Sequence, residues 1–63
     1  MAASKLATDI ITYWHWMMEY RNAASLVGKR YILDIEMPMF LNDCENEKVI
    51  KLMTEFMNAE KAK

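Results

Sequence analysis

The fold is decided by residues 6–27, which read LATDIITYWHWMMEYRNAASLV. Apolar side chains in this stretch follow one another at alternating spacings of four and three residues: Leu6, Ile10, Tyr13, Met17, Tyr20, Ala24 and Val27. Such spacing places them on one face of an α-helix, because an α-helix completes a turn about every 3.6 residues. The sequence therefore predicts a first helix over residues 5–27.

The apolar face of this helix is unusually wide. Ala7, Ile11, Trp14 and Met18 extend it on one side, so that it covers roughly 200° of the circumference, about twice the stripe of an ordinary surface helix. One neighbouring helix cannot cover that width. We therefore expect the helix to be central in its own fold or shared with another chain.

A second helix is predicted over residues 43–61. Its apolar stripe comprises Val49, Ile50, Leu52, Met53, Phe56 and Met57. Asn42 or Asp43 is the expected N-cap, and Glu45 completes a pattern resembling a capping box. Acidic residues gather at the start and lysines at the end, as the helix dipole prefers.

The segment between these helices, residues 28–41, has two interpretations. Gly28 is a plausible end of the first helix, and residues 31–37 then alternate as a β-strand would, so that they would pair with the same strand of a second subunit. Alternatively, the helix continues through Gly28 and stops before Pro38. We favour the helix and predict an all-α fold of two amphipathic helices packed as a small hairpin or bundle; the alternative is an α+β helix–strand–helix dimer.

Composition limits the class of protein. The 63 residues include one Gly, one Pro and one Cys, with a net charge of −1, which predicts a single domain over residues 1–63 and argues against an all-β fold, a disulfide framework or a cysteine-based zinc finger. No apolar run approaches the ~18–20 residues of a membrane span. The first nine residues do not resemble a secretion signal, so we expect a reducing, cytoplasmic compartment.

The size of the chain makes a homo-oligomer the expected state. Burial of apolar surface contributes about 100 kcal/mol for a chain of this size, while ordering its residues costs about 95 kcal/mol. These opposing contributions nearly cancel, and neither a disulfide nor a cysteine-based metal cluster adds to stability. Association with further copies is the remaining source of stability.

Residues able to carry chemistry are few. His15 is the only histidine, and Glu19, one turn away, is its nearest acidic neighbour in sequence. Cys44 is surrounded by Asp43 and Glu45, whose charges disfavour a thiolate. We therefore predict no enzymatic activity, no cofactor and no metal site.

The sequence also argues against nucleic acid as the main partner, because binding to phosphates requires a basic stripe. The densest basic group is Lys29 and Arg30, with Arg21 further up the first helix. Arg21 is expected to point into the apolar face, as an interface residue or part of a buried ion pair. A nucleic-acid-binding dimer is the weakest functional alternative.

The most unusual feature is the run of aromatic residues and methionines from Tyr13 to Tyr20. We expect Trp14 to face the core and Trp16 to lie at the edge of the polar face, where an indole suits protein recognition. The candidate interface residues are Trp16, Tyr20, Tyr13, Met17, Arg21 and Trp14. The sequence thus favours a small protein-interaction module, such as an adaptor, regulator or inhibitor; the alternative is a self-assembling structural or scaffold subunit.

Overall fold

Three helices account for most of the chain. The computed structural model describes residues 4–63, and in that part the first helix, α1, spans Lys5–Asn22 and the last, α3, spans Glu47–Lys61. The middle helix, α2, runs without a break through Leu26–Tyr31, Ile32–Glu36 and Met37–Asp43. The predicted all-α class is confirmed, but the prediction of two helices is wrong. Residues 1–3, part of the stretch used above to argue against a secretion signal, lie outside the described residues.

The first helix ends at Asn22 rather than at residue 27. The backbone of Ala23 is extended, and the Ser25 hydroxyl accepts a hydrogen bond from the Gly28 N–H at 3.0 Å, which caps a new helix. Gly28 therefore lies in the first turn of α2 and does not terminate α1. A Cβ at Gly28 would meet the Ser25 Oγ at 3.2 Å, so glycine leaves room for this cap.

Residues 28–41 are helical, as favoured from the sequence, but the expected course of the helix is wrong: α2 is separate from α1 and continues through Pro38 to Asp43. Within α2, residues Ile32–Glu36 form a π turn, in which the Met37 N–H donates to the Ile32 carbonyl. Pro38 follows directly; it has no N–H, and its ring would press on the carbonyl of Asp34 four residues earlier. A wider turn at this point relieves that conflict. The strand alternative requires a second subunit and stays a prediction.

The last helix begins later than predicted. Asn42 and Asp43 belong to the final turn of α2, and Asn46 is the N-cap of α3. Its side-chain oxygen accepts hydrogen bonds from the N–H groups of Lys48 and Val49 at 3.1 and 3.3 Å. Three residues, 44–46, therefore connect α2 to α3.

The core lies between all three helices and is rich in methionine. Its buried members are Met17 from α1, Leu33 and Met37 from α2, and Met53 and Met57 from α3. Partly buried side chains pack around them: Tyr13, Trp16, Tyr20, Ile32, Phe40, Leu41 and Phe56. Each of the three helices contacts the other two, so α1 shares the core equally with both neighbours.

None of the three helices in the described part of the chain is both long enough and apolar enough to cross a lipid bilayer.

Candidate protein-interaction site

The structure separates the six candidate interface residues into three groups. Met17 is buried in the core. Tyr13, Trp16 and Tyr20 are partly buried and pack against the core, whereas Trp14 and Arg21 are exposed. The expected orientations of the two tryptophans are therefore wrong: Trp16 packs inward and Trp14 is 56% exposed.

The orientations are reversed because the other two helices cover only one side of α1. The neighbouring helices cover the edge that carries Trp16 and leave the other edge open. Four residues of α1 on that open edge, together with one residue of α3, form a surface that we name the Trp14 face: Ile10, Ile11, Trp14, Met18 and Leu52. The sequence predicted the width of the apolar face correctly, but it could not show which edge the fold leaves uncovered.

A groove runs between α1 and α3 beside Trp14. It has a volume of about 390 Å³ and is lined by apolar side chains, with a polar residue pair at one end: Ile10, Tyr13, Trp14, Val49 and Leu52, then Asn46 and Lys48. A second depression of about 540 Å³ adjoins it, sharing Ile10, Asn46 and Lys48 and extending to Leu6, Glu45 and Glu47. Together the two depressions form one surface groove with apolar walls and with charged residues at one end.

The charged end of the groove carries more acid than base. Glu45 and Glu47 are exposed, as is Lys48, while the charge of the nearby Lys5 is matched by that of Asp9. These acids lie at the start of α3, where the helix dipole stabilises negative charge. The groove is therefore suited to an apolar ligand that carries positive charge at one end.

Asp9 fixes the geometry of this groove. Its side chain is 1% exposed, and its Oδ2 accepts hydrogen bonds from the backbone N–H groups of Glu45 and Asn46 at 2.7 and 3.0 Å. The Lys5 ammonium donates to the other carboxylate oxygen. Asp9 thereby satisfies two backbone donors in the α2–α3 connection and ties that connection to α1.

Two further hydrogen bonds complete this arrangement, which we name the Asp9 network. Lys5 Nζ also donates to the backbone carbonyl of Asp43 at 2.8 Å. The Asn46 Nδ2 donates to the Leu6 carbonyl at 3.1 Å. Because Asn46 lines the groove and Leu6 lines the adjoining depression, the network sets the separation of the two groove walls.

The Asp9 network changes the pKa of both charged members. The hydrogen bond from Lys5 lowers the pKa of Asp9 below its ordinary value of 3.8; burial opposes this, and the two backbone donors add to it. The same hydrogen bond raises the pKa of Lys5 above 10.5. Both residues therefore keep their charges at neutral pH.

The other end of α1 is held by a group of side chains that we name the Tyr20 cluster. The Tyr20 and Phe56 rings pack edge to face with centroids 5.4 Å apart. The Tyr20 hydroxyl donates to Glu60 Oε1 at 2.9 Å, and burial raises the pKa of Tyr20, with Glu60 adding to the effect. Lys29 donates to the Tyr20 carbonyl at 2.8 Å and lies 5.0 Å from the centre of its ring.

The basic residues have local partners or face solvent. Arg21 is exposed, so the expected buried ion pair is wrong, whereas its role as an interface residue stays a prediction. Lys29 caps the last turn of α1 through the carbonyls of Tyr20 and Arg21, which also suits the helix dipole. Arg30 forms an ion pair with Asp34 at 3.4 Å.

The reactive side chains are held apart from the Trp14 face. Cys44 is buried in the α2–α3 connection, not in the first turn of α3 as expected, and burial raises the pKa of its thiol. His15 is exposed on α1, with its ring edge against Trp16 at a centroid distance of 4.9 Å. Among residues 4–63, no three His, Cys, Asp or Glu side chains are grouped so as to hold a metal ion.

Sequence signals for these contacts differ in strength. The i, i+4 spacing of Lys5 and Asp9 suggests an ion pair. No local pattern, however, indicates that Asp9 receives two backbone N–H groups from residues 36 and 37 positions later. Sequence analysis therefore missed the residue that organises the site.

Comparisons with known proteins do not assign the chain to a family. No protein-family model matches it, and neither the curated proteins nor the solved structures include a significant match. The geometry of the Trp14 face and its groove is therefore the main indication of function.

Proposed function

We propose that this protein acts by binding another protein through the Trp14 face, as a small adaptor, regulator or inhibitor. The observation that carries the proposal is the exposure of Trp14 beside a groove with apolar walls. Tryptophan is enriched among residues that dominate binding energy, because its large ring buries much area and loses little entropy. Met18 adds an adaptable side chain next to it.

The partner that best fits the groove is an amphipathic helix with basic residues at one end. A groove between two helices accepts the apolar stripe of a third helix. Glu45 and Glu47 would meet its basic residues. The expected partner is therefore a protein segment with apolar anchors and a lysine or arginine about one or two turns away.

We propose a non-enzymatic role in a reducing, cytoplasmic compartment. The buried Cys44 thiol, whose pKa is raised, is poorly suited to nucleophilic catalysis. Lys29 and Arg30 are engaged with neighbouring groups of the same chain, which weakens the nucleic-acid alternative.

Quantitative affinity capture from the native cells tests the proposal. We compare the wild type with Trp14→Ala, with Trp16→Ala, and with Tyr31→Ala as a matched control, since Tyr31 is an equally exposed aromatic residue on α2. Trp14→Ala should remove a partner that Tyr31→Ala retains, and binding of the purified partner should weaken at least about 30-fold. Thermal melts of all three variants separate binding from folding, and Trp16→Ala should lose stability first.

A partner retained equally by Trp14→Ala and Tyr31→Ala would contradict the proposal, because the Trp14 face would then contribute nothing specific. Binding lost only in Trp16→Ala, with its melting temperature unchanged, would restore the recognition role that the sequence predicts for that residue.

A self-assembling structural or scaffold subunit is the second candidate function. It is favoured by a further apolar surface on α2, separate from the Trp14 face: Leu26, Val27, Tyr31, Ile35 and Met39 are all exposed. A chain with two such surfaces could form extended assemblies by using both for self-association. Masses well above a dimer in light scattering, lost in both Trp14→Ala and Tyr31→Ala, would support this function over partner binding.

A further inference from the structure

The outer face of α2 carries a line of exposed apolar side chains that the fold does not use. Val27, Tyr31, Ile35 and Met39 follow one another every four residues and are 81%, 54%, 44% and 60% exposed. We name this line the α2 stripe. It is independent of the Trp14 face, which belongs to α1 and α3.

The π turn keeps the α2 stripe straight. In a regular α-helix, residues four apart drift by about 40° at each step, so four such residues would spiral around the helix. The wider turn over Ile32–Glu36 offsets this drift in the middle of the stripe. A straight stripe is the shape that a second, roughly parallel or antiparallel helix can cover along its whole length.

One flank of the α2 stripe carries charges that would complement the same flank of a second copy. Arg30 lies three residues after Val27 and Asp34 three residues after Tyr31, so both border the stripe on the same side. They form an exposed pair with opposite charges one turn apart. When two identical helices pack antiparallel about a two-fold axis, each flank meets the same flank of the other copy in reverse order. Arg30 of each copy then faces Asp34 of the other copy, once on each side of the axis.

The apolar residues share nearly the same centre of symmetry. A two-fold axis near residues 32–33 places Tyr31 beside Ile35 of the second copy and Val27 beside Met39. The same axis brings Arg30 within two residues of level with Asp34 of the second copy, a difference of about 3 Å along the helix. The apolar and the charged residues thus favour the same register of the two helices. Exposed apolar residues scattered at random would not show this agreement.

The exposed area is that of a weak but specific dimer. With the exposed fractions above, the stripe and its flank present on the order of 500 Å² per subunit, so that pairing buries about 1,000 Å², the lower limit for a specific interface. Dissociation in the micromolar range is consistent with this area.

We propose that α2 is a homodimer interface, in which the α2 stripes of two copies pack antiparallel about a two-fold axis near residues 32–33. This pairing closes the assembly at two copies and leaves the Trp14 face of each subunit open. It therefore stands whether or not the Trp14 face binds a foreign protein.

Matched substitutions on the two surfaces test which one carries the dimer. The wild type should show about twice the monomer mass of 7.4 kDa in light scattering at high micromolar concentration. Ile35→Glu should give the monomer mass, because it places a charge at the centre of the stripe. Ile11→Glu, a similar change on the Trp14 face, should stay dimeric, and circular dichroism checks that both variants are helical.

Charge reversal provides a second test that does not depend on the apolar contacts. Arg30→Asp makes the flank wholly negative and Asp34→Arg makes it wholly positive, so each variant alone should dimerise at least about ten-fold more weakly than the wild type. Mixed in equal amounts, they should form a heterodimer at wild-type strength. Repulsion within each chain is unchanged by mixing, so recovery reports only contacts between chains.

A monomeric wild type at high micromolar concentration would overturn the proposal. So would a dimer that Ile11→Glu dissociates and Ile35→Glu does not, since the Trp14 face would then be the self-association surface. Failure of the two charge variants to recover on mixing would exclude the antiparallel register.

Discussion

The two ends of α1 are fixed by different kinds of interaction. Near its start, the Asp9 network joins a buried carboxylate to two backbone N–H groups and a lysine. Near its end, the Tyr20 cluster combines an edge-to-face aromatic contact with a hydrogen bond to Glu60. The first is buried and directional, whereas the second is half-buried and relies largely on apolar area.

This difference shows which parts of the fold tolerate change. Hydrogen bonds to buried groups have strict geometry, and a lost partner leaves a donor unsatisfied. Apolar contacts adjust to small changes in shape. The groove of the candidate site lies at the directional end, so its width is set by the less tolerant of the two regions.

Removing the Asp9 carboxylate should have the largest effect. In Asp9→Ala the N–H groups of Glu45 and Asn46 lose their acceptor, and we expect a loss of about 3 kcal/mol in the free energy of unfolding, which lowers the melting temperature by roughly 20 °C. Labelling of the Cys44 thiol should also accelerate, because Cys44 lies in the connection that Asp9 holds. Glu19→Ala, which removes an exposed carboxylate from the same helix, is the control and should change neither quantity. Equal stability of the two variants would show that the network contributes little.

A smaller loss is expected at the aromatic end. Phe56→Ala removes a partly buried ring that packs on Tyr20 and the core, and we expect a loss of about 2 kcal/mol in the free energy of unfolding by urea titration. The double variant with Tyr20→Ala should lose less than the sum of the single changes, with a coupling of about 1 kcal/mol. Additive losses would mean that the ring contact is not energetically significant.

Lowering the pH should weaken the two ends of α1 to different degrees, and we expect this effect on stability to be smaller still. The pKa of Asp9 is lowered by Lys5, and that of Glu60 is lowered by Lys63 and by the Tyr20 hydroxyl. A lowered pKa contributes stability that is present above the unfolded value, about 4, and is lost as pH falls through the folded value. The melting temperature should therefore fall below about pH 4. Asp9→Asn should flatten this decline more than Glu60→Gln, because Asp9 has more partners; the reverse order would place the stronger carboxylate interaction at the Tyr20 cluster.

The spacing of apolar residues along the chain was sufficient to predict the features of the fold that depend on apolar contacts. The stripe of the last helix is correct in its buried members, Val49, Met53 and Met57, although Leu52, which also belongs to it, is exposed. The helix boundaries were wrong where a single polar side chain decides them. Ser25 and Asn46 each begin a helix by accepting backbone hydrogen bonds. Asn46 stands among several equally polar neighbours, whereas Ser25 lies within an apolar spacing that continues across it.

The candidate site was less predictable than the fold. The sequence singles out the run from Tyr13 to Tyr20, but which tryptophan faces solvent depends on where α2 and α3 pack against α1. That placement follows from the break between helices at residues 23–25 and from the hydrogen bonds of Asp9. The spacing of apolar residues predicts neither of them. The Trp14 face is thus a consequence of tertiary contacts and not of helix pattern alone.

The π turn has a consequence for how the length of this chain can vary. A π turn accommodates one residue more than the α-helical turn it replaces, so the loss of one residue within Ile32–Glu36, combined with replacement of Pro38, would restore regular geometry while leaving the flanking faces in place. A deletion elsewhere in α2 would rotate every later side chain by about 100° and expose Met37 or bury Met39. Of the positions in α2, Ile32, Asp34 and Glu36 are therefore where a variant that also lacks Pro38 can lose a residue and keep both the core and the outer face.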